Sequence, residues 1–263
     1  MLPPSPEGPG LRAAIQMKRL IIIGIGAGDP DHLTLQAVKA IAAADVFFIV
    51  DKGEVKHDLV QLRQDLIQEH GRAPYRIAEA RDPERDRTTP AYAAAVEDWR
   101  ARRALACETL IRDELADGET GAFLVWGDPG VYDSTLAIVE QILERGHVVF
   151  DYEVIPGISS VAALTARHRT SLTQVARPVH LTTGRRLAQE GATADDVVVM
   201  LDAHCSFAGL DDFTIYWGAY LGTPDEILVS GPVAEVGDRI RALRAEARER
   251  KGWIMDTYLL RRT

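Results

Sequence analysis

The sequence predicts an α/β protein made of two α/β domains in series. Three observations carry that reading. Short apolar runs end in glycine and give way to stretches of helical periodicity, the pattern of buried parallel strands alternating with helices. The alternation runs from Lys18 to Pro178 and is then replaced by strand-like segments closed by one Arg- and Glu-rich amphipathic helix. Three strand ends carry glycine loops, "GIGAGDP", "WGDPG" and "PGISS", and in a parallel sheet ligands bind at the carboxyl ends of the strands. The expected division is a disordered leader at 1–17, a first domain at 18–178 and a second at 179–263.

The leader, "MLPPSPEGPGLRAAIQ", is rich in Pro and Gly and lacks the apolar core of a secretory signal; Met17 is a candidate start. "RLIIIGIG" is apolar throughout, as a strand covered on both faces must be. "LTLQAVKAIAAA" places Leu35, Val38 and Ile41 at helical spacing, with Thr34 as the cap. "DVFFIV", from Asp45, is the second strand. "KHDLVQLRQDLIQEHG" is a helix with Leu59, Leu62 and Leu66 on one face and a stop at Gly71. "YRIAEARDPERDRTTP" is charged and broken by prolines, so a loop is expected. "AYAAAVEDWRARRALACETLIRDELADG" is a long helix closed by Gly118. "GAFLVWGDPGVYD" is a strand entering a loop, and "STLAIVEQILERG" is a helix followed by Gly146. "DYEVIPGISS" is a strand entering the third loop, and "SVAALTARHRT" is helical. In the second domain "PVHLTTGRR" and "DDVVVMLDA" are strand-like. "FTIYWGAYLGTPDEILVSGPVAEVGDRIRALRAEARER" reads as strand, loop, strand and helix, and "GWIMDTYLLRR" as a last strand.

Composition excludes several roles. The 263 residues are 46% hydrophobic, ordinary for a globular protein, and no apolar run approaches the ~20 residues of a membrane span. A formal charge of -9 argues against nucleic acid as partner, because phosphates must be neutralised by cations. Cys107 and Cys205 stand far apart without Cys-x-x-Cys spacing, which points to the cytoplasm. The seven histidines are scattered, and adjacent His204 and Cys205 make poor ligand geometry, so no metal is expected. Asp51 follows the second strand, where a ribose-binding acid would stand. However, Gly24, Gly26 and Gly28 lack the dinucleotide spacing, and the helix starts too late to meet a pyrophosphate. No Gly-Lys-Ser/Thr follows, so a Walker loop is absent. Three glycine loops in register still imply a ligand cleft, because glycine lets backbone approach a ligand closely.

With "GIGAGDPDHLTLQAVKAIAAADV", "WGDPGVY" and "VIPGISSVAALTA" in this order, the chain resembles the tetrapyrrole methylase family from about Lys18 to Arg262. The resemblance implies the class III methyltransferase fold, with the active site in the cleft between two α/β domains. It also implies a homodimer, a small-molecule tetrapyrrole substrate and S-adenosyl-L-methionine as cofactor, with S-adenosyl-L-homocysteine as its product. "DPERDR", "WGDPGVYDST", "YWGAYLGTPDEI" and the long segment between Gly28 and Gly127 resemble the branch that also removes a two-carbon unit of its substrate as acetate.

The family's first loop is usually Gly-x-Gly-Pro-Gly-Asp, and Ala27 stands here in place of the proline. By the resemblance, Gly127 and Asp128, preceded by Trp126 and followed by Val131, hold the methionine part of the cofactor. Ser159 and Ser160 match the small pair that contacts it. Met200 or Asp202 lies near the adenine, and the later adenine-side backbone contact falls at Ala219 or Gly222.

Methyl transfer from a sulfonium is an in-line displacement that mainly needs alignment and exclusion of water. Backbone loops suffice for that, in keeping with the lack of an obvious nucleophile. Deacetylation needs a base for water and a donor for the acyl oxyanion. Asp51, Tyr132 and Asp133 are the catalytic candidates, Glu54 also lies near a strand end, and Asp128 is better explained as a loop-shaping acid. Acids in loops are mostly caps or solvated charges. For the substrate's carboxylates, Arg85, Arg87 and Lys52 are the candidate partners, with Arg185 facing them from the second domain. Other precorrin methylases, a diphthamide-pathway methylase and an RNA 2′-O-methylase are the competing roles. The acidic charge disfavours the last.

Overall fold

The computed structural model describes residues 17–51, 57–84 and 92–263. Two five-stranded sheets follow each other along the chain. The first is parallel throughout, in the order β3-β2-β4-β1-β5: β1 Lys18–Gly24, β2 Val46–Asp51, β3 Arg76–Arg81, β4 Thr120–Val125 and β5 Phe150–Ile155. Both of its faces are covered, which is why β1 is apolar at successive positions. Ile21 and Ile23 pack with Ala37, Ala40 and Ile41 of α1 (Leu35–Ala43) and with Leu66 and Ile67 of α2 (His57–His70). Leu20 and Ile22 point the other way, toward Cys107 and Ile111 of α3 (Tyr92–Glu114) and Ile138 and Ile142 of α4 (Thr135–Arg145).

The second sheet has the order β6-β7-β10-β8-β9: β6 Val179–Thr183, β7 Asp196–Met200, β8 Phe213–Ala219, β9 Ile227–Pro232 and β10 Asp256–Arg262. Only β6 and β7 run parallel; the other pairs are antiparallel. One face packs against α6 (Gly184–Glu190) and α7 (Val233–Lys251). The other face receives α5 (Ser160–His168) through Val161, Ala163 and Leu164. Thus α5 follows the last strand of the first sheet in sequence but packs on the second sheet.

Three local expectations need correction. The segment expected as a loop from Tyr75 contains β3, an edge strand paired only with β2. Its charges sit on exposed positions, as edge strands tolerate, and Ala78 alone is buried. In α1, Leu35 is 80% exposed, and the buried stripe is Ala37, Ala40 and Ile41. The strand expected from Pro178 stops at Thr183, whose hydroxyl accepts from the Arg186 N–H and starts α6. The caps at Thr34 and Gly146 stand as read. Both cysteines are free. Among the described residues no helix is long and apolar enough to cross a membrane.

Arg76 anchors the first residue of β3. Its guanidinium donates to both oxygens of Glu119, at 3.0 and 2.7 Å, and Glu119 also accepts from the Ala116 N–H at 2.8 Å. The Arg76 bond first, then the backbone bond, hold the Glu119 carboxyl at about 2, below the usual 4.5. A carboxyl lowered by folding stabilises the fold above its unfolded pKa and loses that contribution as pH falls through the folded value. Glu119→Gln should therefore lower the melting temperature most at neutral pH, with the difference closing between pH 4.5 and about 2, so that the acid slope flattens. Thermal melts across that range check it; an unchanged acid slope would refute it.

Candidate functional site

The three glycine loops meet backbone to backbone at the carboxyl end of the first sheet. Gly26 and Gly127 form an isolated bridge: the Gly127 N–H donates to the Gly26 carbonyl at 2.7 Å and the Gly26 N–H returns to Gly127 at 3.2 Å. The third loop presses on both partners. A Cβ on Gly157 would stand 2.1 Å from the Gly127 oxygen, and one on Gly24 would stand 2.5 Å from the Gly157 nitrogen. Asp128 fastens the assembly, because one carboxylate oxygen accepts from the Gly157 N–H at 2.9 Å and the other from the Gly130 N–H at 2.8 Å. Both oxygens are thus occupied within the loops. Gly127 itself has φ 74, and a Cβ there would meet no atom within 4 Å. Open space lies over its Cα.

The unit built on the second sheet closes on the first loop. Gly28 lies against Leu221, Thr223 and Trp126, and a Cβ on Gly222 would approach the Asp29 nitrogen to 2.7 Å. Arg167 of α5 reaches Glu226 at 3.1 Å and Asp29 at 3.8 Å, and Glu226 accepts from the Gly222 N–H at 2.8 Å. Ala27 is buried in one apolar cluster with Val161, Leu164, Val198, Leu221 and Leu259, and Met200 packs at its margin. Ser159 caps α5 through the Ala162 N–H, and the Ser160 hydroxyl lies 3.3 Å from that of Thr257, the strand partner of Met200. The structure therefore gathers Ala27, Ser160, Met200 and Gly222 around the junction with the Gly127 loop. Arg167 and Glu226 were passed over in the sequence, where neither carries a local signal.

Other candidates stand differently. The Asp202 carboxylate is buried and accepts from the Tyr258 hydroxyl at 2.7 Å, from the His204 N–H and from both the N–H and the hydroxyl of Ser206. Its carbonyl accepts from Arg244, which pairs at 2.9 Å with Asp256; Trp217 donates to the same carboxylate. Asp202 is thus the hub of an internal network. Ala219 is fully buried in β8, in register with Asp256. The Asp133 carboxylate accepts from the Thr135 N–H at 2.6 Å and caps α4, whose N-cap residue Ser134 makes no side-chain cap. Tyr132 holds φ 50 with its ring about half exposed, and partial burial raises its hydroxyl above the ordinary value. It is a neutral proton donor at pH 7. Val131 closes a turn onto the Asp128 carbonyl. Asp51 ends β2 at the same sheet edge, and its side chain lies outside the description. Lys52, Glu54, Arg85 and Arg87 lie outside the described residues. Arg185 is exposed on α6.

Comparison with known proteins gives a family for this geometry. Residues 19–237 match the family model of the Tetrapyrrole (Corrin/Porphyrin) Methylases. A Sinorhizobium sp protein, precorrin-6A synthase [deacetylating], is 49% identical over 94% of this chain and 96% of its own length. Among solved structures, a putative cobalamin synthesis related protein (CobF) from Corynebacterium diphtheriae superposes with a TM-score of 0.81 at 37% identity, covering 94% of this chain and 99% of that one. Uroporphyrin-III C-methyl transferase from Thermus thermophilus, complexed with S-adenosyl homocysteine, shares the fold with a TM-score of 0.54 at 18% identity, covering 92% of each chain.

Two glycines should separate the space for a ligand from the space for backbone. Gly127→Ala meets no neighbour, so its cost is the left-handed φ, about 1–2 kcal/mol, yet its methyl enters the open space and should abolish S-adenosylhomocysteine binding. Gly157→Ala drives a methyl into the Gly127 carbonyl and should cost more stability as well as binding. Denaturant titration with calorimetry checks both; unchanged ligand affinity in Gly127→Ala would remove the site from this loop. Asp128→Asn offers one acceptor where two N–H groups need one each, and should cost about 0.5–1.5 kcal/mol in the same titration, the net worth of one hydrogen bond.

Proposed function

The chain belongs to the tetrapyrrole methylase family, and from that premise we propose that it methylates carbon C1 of precorrin-5 and releases the extruded two-carbon unit as acetate, giving precorrin-6A. The likeness to the deacetylating Sinorhizobium enzyme over nearly the whole chain carries this reading. The proposed methyl donor is S-adenosyl-L-methionine, and the site suits it. The open space over Gly127 can take a thin polar chain, while the apolar margin at Ala27 and Met200 can take a flat ring. Val131, Ser159, Ser160 and Gly222 complete the proposed contacts, with Met200 favoured over Asp202 because the Asp202 carboxylate is already occupied. Bound there, the donor supplies an electrophilic methyl group.

The chain's own residues then supply alignment and proton control. The bridged loops are held by Asp128 and by the second domain, so they can fix a donor with little reorganisation. Tyr132, neutral and half exposed beside the loop, is the proposed donor to the acyl oxygen. Asp51, at the end of β2, is the proposed base for the attacking water, since Asp133 is engaged as a helix cap. We also propose domains at 18–178 and 179–263, which separate the two sheets, and a homodimer working in the cytoplasm.

Incubation with precorrin-5 and methyl-labelled S-adenosylmethionine should yield labelled ring product and acetate in equal amounts. Labelled product without acetate would assign the chain to another methylase of the family. Tyr132→Phe should lower kcat about 10²-fold, the loss of one oxyanion donor, and leave S-adenosylhomocysteine affinity unchanged. Full activity in that variant would remove Tyr132 from the chemistry.

A further inference from the structure

Two arginines outside the expected candidates converge beside the loops. Arg63 of α2 is part-buried and pinned at the carboxyl end of β4: Nε donates to the Leu124 carbonyl at 2.8 Å and Nη1 to the Leu59 carbonyl at 2.7 Å. Arg103 of α3 lines a small cavity with Val50 of β2, Phe123 of β4 and Thr135 of α4. Its side chain is only 13% exposed, its Nε lies 3.3 Å from Asp82, and its guanidinium stands 5.2 Å from the Trp99 ring centre. Among the described residues Nη2 of Arg63 and both Nη of Arg103 make no hydrogen bond, and Nε of Arg103 and Oδ1 of Asp82, though 3.3 Å apart, are an ion pair without a hydrogen bond. One turn earlier on α3, Arg100 buries its Nε without an acceptor.

Like charges so placed repel one another. Burial first, then repulsion from Arg103, push the Arg63 guanidinium down to about 10, opposed by Asp133. Among the described residues, the carboxylates that act on these two arginines are Asp82, an ion-pair partner of Arg103, and Asp133, which caps α4. The cluster thus presents open donors and surplus positive charge at the ends of β2 and β4. That place adjoins the glycine loops without sharing their contacts. Guanidinium groups favour carboxylates because their planar donors match both oxygens.

We propose that Arg63 and Arg103 form an anchor for one peripheral carboxylate of the tetrapyrrole. The proposal rests on the tetrapyrrole reading above and adds to it the place where the ring is held. Both α2 and α3 lie in the long segment between the first two loops, so the anchor would set substrate choice while the loops serve the cofactor. A carboxylate could also come from the acetate that leaves, and the test separates the two sources.

The test measures kcat and KM for precorrin-5, inhibition by added acetate, and S-adenosylhomocysteine affinity for the whole chain and for Arg63→Gln, Arg103→Gln and Arg103→Lys. The lysine variant keeps the charge beside Asp82, and so keeps the test open if a glutamine variant does not fold. Each variant should raise KM about ten- to a hundredfold with kcat within a few-fold and cofactor-product affinity unchanged. Equal losses for both ligands would make the arginines structural. An unmoved KM with weakened acetate inhibition would give the site to the leaving acetate and overturn the anchor, as would no change at all. An unmodified chain inactive on precorrin-5 would overturn the tetrapyrrole reading and the anchor with it, whereas an active chain with unmoved variants overturns the anchor alone.

Discussion

Gly26 and Gly127 exchange both backbone hydrogen bonds across the end of the first sheet, and the rest of the site is arranged around that contact. Both residues hold a positive φ, 79° and 74°, which favours glycine, and the third loop approaches so closely at Gly24 and Gly157 that a side chain is excluded there. Once formed, the bridge fixes where β1, β4 and β5 deliver their chain ends. Asp128 then ties its own loop to the third, accepting from the Gly130 N–H with one oxygen and from the Gly157 N–H with the other. A site made this way is rigid without catalytic side chains, which suits a displacement whose main requirement is alignment.

The unit built on the second sheet is held by the same loop. Apolar packing of Ala27 with α5 and with Val198, Leu221 and Leu259 joins the two units. The ion pairs of Arg167 with Glu226 and Asp29 are partly exposed and add direction more than energy. Deeper in that unit, Asp202, Tyr258, Arg244 and Asp256 form a buried polar network. Each member has a partner, so the network specifies one arrangement of β7, β10 and α7 where an apolar core would permit several.

Most strands and helices were legible because burial on both faces writes a continuous apolar run and because capping residues mark the ends. β3 was not, since an edge strand needs only one buried position and its remaining residues look like a charged loop. Leu35 misled for a related reason: small alanines, not the large side chain, make the close packing of α1 on β1. In the site, the glycine loops could be read as a ligand cleft, but the sequence left Met200 and Asp202 undecided. An acid after a strand reads the same whether it meets a ligand or, as here, Tyr258 and Ser206. Arg63 and Arg103 stand 40 positions apart on separate helices, and nothing local announces that β2 and β4 bring them together.

That convergence bears on an electrostatic difficulty. A chain of net charge -9 repels a ring that carries many carboxylates. At physiological salt, however, exposed charges are screened beyond about 8 Å, so the overall sign has little influence at contact. What counts is the local field in a part-buried site, where screening is weak. Among the described residues, Arg63 and Arg103 concentrate positive charge there, with Asp133 engaged as a helix cap and Asp82 as an ion-pair partner. The acidic surface and an anionic substrate are then compatible, because the cations that matter are grouped at the strand ends.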